Sequence, residues 1–481
     1  MSFLSMVFAA CVAITVIAFH VAPARLRPHV LLLASLGFYA THGLGYLALL
    51  VALTFCTWRA ALMIESAATE QGKKRLLTAG VVALVLILCG FKLAGALTKT
   101  PSAVQMMEQD AVWRFALPLG LSYYSFRLIS YLLEVYWERL PAQRSLVAVS
   151  LYVSFFPQIV SGPIQRPGMF FEQLSRIGRI DPEDFAAGLR LILFGFFKKI
   201  AIADRLEPAV AALHAAPGSY SSVELLFGAY AFAIQLYADF SGLTDIALGI
   251  GRLFGIKGPE NFDLPFLARN LQEYWRRWHM SLTSWLADYL FTPLRMALRD
   301  HGQAGLVAAI FLNMVAVGIW HDFKGTYLAF GVFHGVALSV SVLTLKRRDA
   351  FFKARPGLAR VRKVVGPLVT FHLVVLGLVL FRAQSLPQAA EYLTSMVSGS
   401  IHGDVSPLRF ALDDMPRKLL MALGGLVLFM EAVHVARRSP ALRERFMVSP
   451  RTMRWAGYYG LILLTLAFSR FGEEHFIYGQ F

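Results

Sequence analysis

Apolar stretches long enough to cross a bilayer, or nearly so, follow one another at about 3–21, 30–63, 76–97, 115–136, 146–160, 186–203, 223–254, 303–320, 326–345, 364–381, 417–436 and 455–469. A hydrocarbon core takes about 20 apolar residues of helix. The pattern predicts an all-α, polytopic membrane bundle of roughly eleven to thirteen helical passes, several short or broken, with interfacial and re-entrant segments between them. The 30–63 stretch holds two passes, with a turn near His42-Gly43.

Two segments depart from this rhythm. Phe156 to Pro167 cannot continue as regular helix past Pro157 and Pro163. Irregular backbone at membrane depth persists only when protein covers it or it lines a water-filled cavity, so this is read as a re-entrant or cavity-lining segment, with an ordinary loop as the alternative. From Leu271 to Tyr289, Tyr274, Trp278, Leu282 and Trp285 recur at helical spacing, while Arg276, Arg277 and Asp288 interrupt the apolar run. That pattern fits a helix lying in the interface or packed under the bundle. On such a helix Trp275 and His279 project from one face.

Of 481 residues, 57% are hydrophobic and 16% charged, against about a quarter charged in soluble domains. The net charge of +16 raises nucleic acid as a partner, but the basic residues are scattered in short loops between passes, as the positive-inside rule requires. Lipid is the predicted partner, and nucleic acid is not. Eight Lys or Arg against the single acid Asp349 place the 346–363 loop in the cytoplasm. The 382–416 loop, with Glu391, Asp404, Asp413 and Asp414, falls outside, the 437–454 loop with its six arginines inside, and the tail outside. Arg25 and Arg27 follow the first apolar run and no charge precedes it, which predicts an uncleaved first helix with its N-terminus outside. Connections are short and no repeat is evident, so residues 1–481 read as one integral membrane domain.

Cys11, Cys56 and Cys89 lie in apolar stretches without C-x-x-C spacing and are expected as small buried hydrophobes, with no disulfide, metal site or bound cofactor. No Walker loop, G-x-G-x-x-G, G-x-S-x-G or H-E-x-x-H occurs, which argues against an ATP-driven pump or a conventional serine hydrolase. The chemistry falls instead to histidine. His321, in Trp320-His321-Asp322, joins two apolar stretches. An imidazole there can take a proton from a hydroxyl attacking an activated acyl carbon and return it to the leaving group. A hydrogen-bonded histidine in a helix interface is the competing reading. Asp322 either orients His321 or caps the next helix. His334, thirteen residues on, would share a metal with His321 only if the chain breaks between them, near Gly325. Asp239, Asp245, Lys198-Lys199 and Asp204-Arg205 are expected to pair internally or line a cavity.

Read in order, Pro118-Leu119-Gly120-Leu121-Ser122-Tyr123-Tyr124, Ser161-Gly162-Pro163-Ile164, Gly195-Phe196-Phe197-Lys198-Lys199, Asp239-Phe240-Ser241-Gly242, Pro259-Glu260-Asn261-Phe262, Tyr274-Trp275-Arg276-Arg277-Trp278-His279, Gly318-Ile319-Trp320-His321, Phe381-Arg382-Ala383 and the tail Phe476 to Phe481 resemble the membrane-bound O-acyltransferase superfamily. The likeness is to its bacterial branch, which holds the membrane subunit of alginate O-acetylation and the D-alanyl-lipoteichoic acid exporter. The resemblance covers most of the chain. It implies a multi-pass protein of the bacterial cytoplasmic membrane with His321 as catalytic residue, His279 as a second site residue and His334 in support; their neighbours Trp320, Asp322 and Trp278 are further candidate supporting residues. Arg276 and Arg277 are placed on the donor side. Related sequences usually carry Gly where this chain has Asp322, a departure that bears on the base's pKa or the acceptor preference.

The reading is an acetyltransferase that takes acetyl from cytoplasmic acetyl-CoA toward hydroxyls of an extracytoplasmic polysaccharide, directly or through an extracytoplasmic partner protein. Within the family the alternative is D-alanyl or other acyl transfer to teichoic acid or lipid. Outside it, the alternative is a channel or transporter in which His321 gates protons.

Overall fold

The computed structural model describes residues 5–98, 117–177, 181–398 and 417–469. Asp404, Asp413, Asp414 and the Phe476–Phe481 tail, on which the sequence reading draws, lie outside them. Six helices among the described residues are long and apolar enough to cross a membrane: Leu44–Ser66, Glu70–Ala96, Ser222–Leu253, Arg299–His321, Gly325–Leu343 and Pro356–Arg382, with the shorter apolar Met6–Val21 beside them. The chain forms two compact units, Met1–Ile192 with Thr244–Pro259, and Leu193–Leu243 with Glu260–Phe481.

In the first unit the 30–63 stretch divides as its length predicts. Helices Arg27–Ala40 and Leu44–Ser66 meet at a turn closed by Gly43, whose φ of +130° suits a residue without Cβ. The 146–160 stretch is not a pass. Its helix, Leu146–Ser154, is nine residues long, about 14 Å at the usual rise and half a hydrocarbon core. The prolines beyond it end the helix, and Phe155 to Gln165 run on irregularly, buried almost throughout. Protein supplies the missing backbone partners. Arg127 Nη1 donates to the Tyr152 carbonyl at 2.9 Å, and Arg127 Nη2 to the Gln158 carbonyl at 3.4 Å and Oε1 at 3.3 Å. The covering by protein expected of such irregular backbone is observed. The cysteines correct an expectation, since Cys11 and Cys56 are exposed and Cys89 half-buried. They sit on outer faces of apolar helices, where a small hydrophobe meets lipid as readily as core.

In the second unit, the Phe197–Ala203 segment is a π-helical turn, and it carries two lysines that are each 1% exposed. Lys199 Nζ lies 2.7 Å from an Asp204 carboxylate oxygen and 2.8 Å from one of Asp239. Lys198 Nζ donates to Ser241 Oγ at 3.0 Å. Internal pairing is the condition on which buried charge is tolerated, and it holds as the sequence reading expects.

Candidate active site

His321 ends one helix and faces the start of the next. The hairpin Gly302–His321 and Gly325–Leu343 closes at backbone distance because two glycines sit in the contact. A Cβ on Gly318 would lie 2.2 Å from the Tyr327 carbonyl oxygen, and one on Gly331 2.6 Å from that of Met314. The chain breaks at Asp322, in extended conformation, so His321 and His334 fall on separate helices. Asp322 does not cap the second helix. Lys324 holds that position without a side-chain bond, and the Asp322 carboxylate accepts the Phe323 N–H at 2.8 Å and lies 3.8 Å from Lys324 Nζ. It sits two residues before the cap position, too early to cap the free N–H groups of the first turn.

The His321 side chain is boxed by rings. Phe381 presents its edge at 4.9 Å between centroids, Trp320 lies at 4.8 Å, Tyr327 is nearly parallel at 6.0 Å and Phe330 stands at 6.4 Å. The residue is 5% exposed.

His279 lies at a break that its local sequence does not announce. Instead of one helix from Leu271, the chain forms Leu271–Arg277 and Met280–Leu286, with His279 between them at φ 45° and ψ 52°. Trp275 and His279 therefore do not share a helix face. Left-handed backbone costs a non-glycine residue about 1–2 kcal/mol, and the surroundings must offset it. Met280 N–H donates to the Asn261 carbonyl at 2.9 Å, Asp263 N–H to the Arg277 carbonyl at 3.0 Å, and Phe262 bridges antiparallel to Trp278. A distant strap of chain thus takes up the backbone groups that a continuous helix would have used. The His279 ring, 1% exposed, meets the Phe240 edge at 4.7 Å and Trp320 at 6.1 Å. Burial pushes its imidazole down to about 3, so it stays neutral at physiological pH.

One path of ring contacts joins the three histidines. It runs from His279 through Trp320 to His321, then through Phe330 to His334, which Phe330 approaches at 4.6 Å and Trp275 at 5.2 Å. The helix Pro356–Arg382 reaches His334 at Gly377, where a Cβ would lie 2.5 Å from Nε2. Trp278 stacks on Tyr274 at 5.8 Å and supports the turn. Arg277 pairs with Glu273 at 2.5 Å and donates to the Asp263 carbonyl at 3.4 Å, while Arg276 is exposed. The two arginines thus differ, one tied to the strap and one at the surface. No group of three or more His, Cys, Asp or Glu side chains among the described residues is arranged to hold a metal ion. Phe381, Tyr327, Phe330 and Phe240 complete the setting; sequence reading quoted Phe381 and Phe240 only within the motifs that carry the resemblance and gave none of the four a site role, because an aromatic ring in an apolar run looks like any other core residue.

A family model described as the membrane-bound O-acyltransferase family matches residues 38–376. Among curated relatives, the probable alginate O-acetylase AlgI of Azotobacter vinelandii is 34% identical over 79% of this chain and 74% of its own length. The peptidoglycan O-acetyltransferase of Helicobacter pylori is 30% identical over 76% and 73%. The teichoic acid D-alanyltransferase of Streptococcus thermophilus is 31% identical over 55% and 68%.

Proposed function

The chain belongs to the membrane-bound O-acyltransferase family, and on that premise we propose that it moves acetyl groups from cytoplasmic acetyl-CoA toward hydroxyls of a polysaccharide beyond the cytoplasmic membrane, directly or through an extracytoplasmic partner protein. As an O-acyltransferase it is an enzyme, which sets aside the pore without covalent chemistry. Acetyl is preferred to D-alanyl because the similarity to acetyl-transferring relatives extends over more of the chain, 76–79% against 55%.

The observation that carries the reading is His321 at the break of a membrane-length hairpin, walled by rings and linked to buried His279 through Trp320. His321 takes the proton of the acceptor hydroxyl as its oxygen attacks the thioester carbonyl carbon. The C–S bond breaks, the new C–O ester bond forms, and the proton passes to the departing coenzyme A thiolate. His279, neutral throughout, contributes a fixed polar ring and not a proton. Exposed Arg276 is suited to the donor's phosphates, and Arg277 acts there through the turn it ties down. Asp322 sits where it can bias the acceptor step.

The test compares ester-linked acetyl on cell-surface glycans in a deletion strain complemented with the wild-type protein or with His321→Ala. The variant should insert and accumulate normally and restore no acetyl ester. Restoration by His321→Ala would remove His321 from the mechanism, and D-alanyl esters in place of acetyl would select the other branch.

A further inference from the structure

We propose that Asn261 is a positioning residue that caps the His279 turn from a distance, an inference that rests on His279 belonging to the site. His279 stands at the N-cap of the Met280–Leu286 helix, yet its side chain makes no capping bond. The first turn of a helix leaves N–H groups that a cap oxygen normally accepts, and Asn, Asp, Ser and Thr are the usual suppliers. Here the supplier is Asn261, 2% exposed. Its Oδ1 accepts the Ser281 N–H at 3.1 Å and the Ser281 hydroxyl at 2.8 Å, across twenty positions of sequence.

The division of labour follows from geometry. Were residue 279 to cap its own helix, its side chain would turn back onto the Ser281 region. With the cap provided by Asn261, the imidazole faces Phe240 and Trp320 instead. The backbone pairing between 261–263 and 277–280 is open to any residue type. Only the side-chain oxygen at 261 is specific, so only that atom distinguishes this role from general packing.

The experiment measures initial rates of labelled acetyl transfer from acetyl-CoA in membrane vesicles over a range of donor concentrations, with accumulation and thermal unfolding of each variant in detergent as control. Asn261→Ala should lower kcat about 30- to 100-fold with donor KM within about twofold, and Asn261→Asp, which keeps the acceptor oxygen, should recover most of it. In a His279→Ala background, Asn261→Ala should cost less than about twofold more, since the ring it positions is already gone. Wild-type kcat in Asn261→Ala, or an equal loss in both backgrounds, would overturn the proposal. Should Asn261→Ala not accumulate, Ser281→Ala, which deletes one of the two bonds, should lose about fivefold, and wild-type kcat there would overturn it equally. Wild-type turnover in His279→Ala alone would instead dismiss His279 from the site, and this proposal with it.

Discussion

His279 and His321 are both buried imidazoles, and the proposed mechanism gives them different work. His279 is packed on a strained turn and held neutral by burial, down to about 3. A group so depressed binds a proton only below that value, so it contributes no titration between pH 5 and 8. His279→Gln should therefore lower turnover by about 10- to 100-fold through lost positioning while leaving the acid limb of the pH–rate profile where it stands in the wild type. The measurement is kcat against pH for the two proteins. Displacement of that limb by more than about half a pH unit would make His279 a proton carrier.

At the scale of elements, the hairpin bearing His321 depends on backbone approach at Gly318. Valine there would set its Cβ 2.2 Å from the Tyr327 carbonyl oxygen, forcing the two helices apart. Overpacking of this kind typically costs about 1–3 kcal/mol, and because Tyr327 flanks His321, activity should fall with it. Gly90→Val, where a Cβ meets nothing within 4 Å, is the control. Thermal unfolding in detergent should separate the two, and equal stability would show that the hairpin can relax. These elements also mark how far sequence reading reaches. The turn at Gly43, the broken helix after Ser154 and the break beyond His321 were legible, because proline, glycine and charge interrupt an apolar run locally. The break at His279 was not. Tyr274, Trp278, Leu282 and Trp285 keep helical spacing through it, and what ends the helix is a hydrogen-bonding partner some twenty residues upstream. Asp322 misled in the opposite sense, being a good cap residue two positions from where a cap was needed.

For the whole molecule, the decisive quantity is how its charge is distributed. The basic 346–363 and 437–454 loops should lie in the cytoplasm and the start of the 382–416 loop outside. With Cys11, Cys56 and Cys89 replaced, single cysteines at Arg355 and Arg443 should react only with a membrane-permeant thiol reagent, and one at Gln384 with an impermeant one. Labelling of position 355 from outside would reverse the orientation and with it the direction of acyl flow. The ring contacts of His321 also bear on what the protein does when idle. Rings at Phe381, Tyr327, Phe330 and Trp320 wall the His321 side chain, and the proposed mechanism has it draw its proton from the acceptor alcohol. On the proposed mechanism, a donor-loaded protein without its glycan would hold the thioester intact. A cell that has stopped making polymer would then keep its acetyl pool, with no separate signal needed to switch the transferase off.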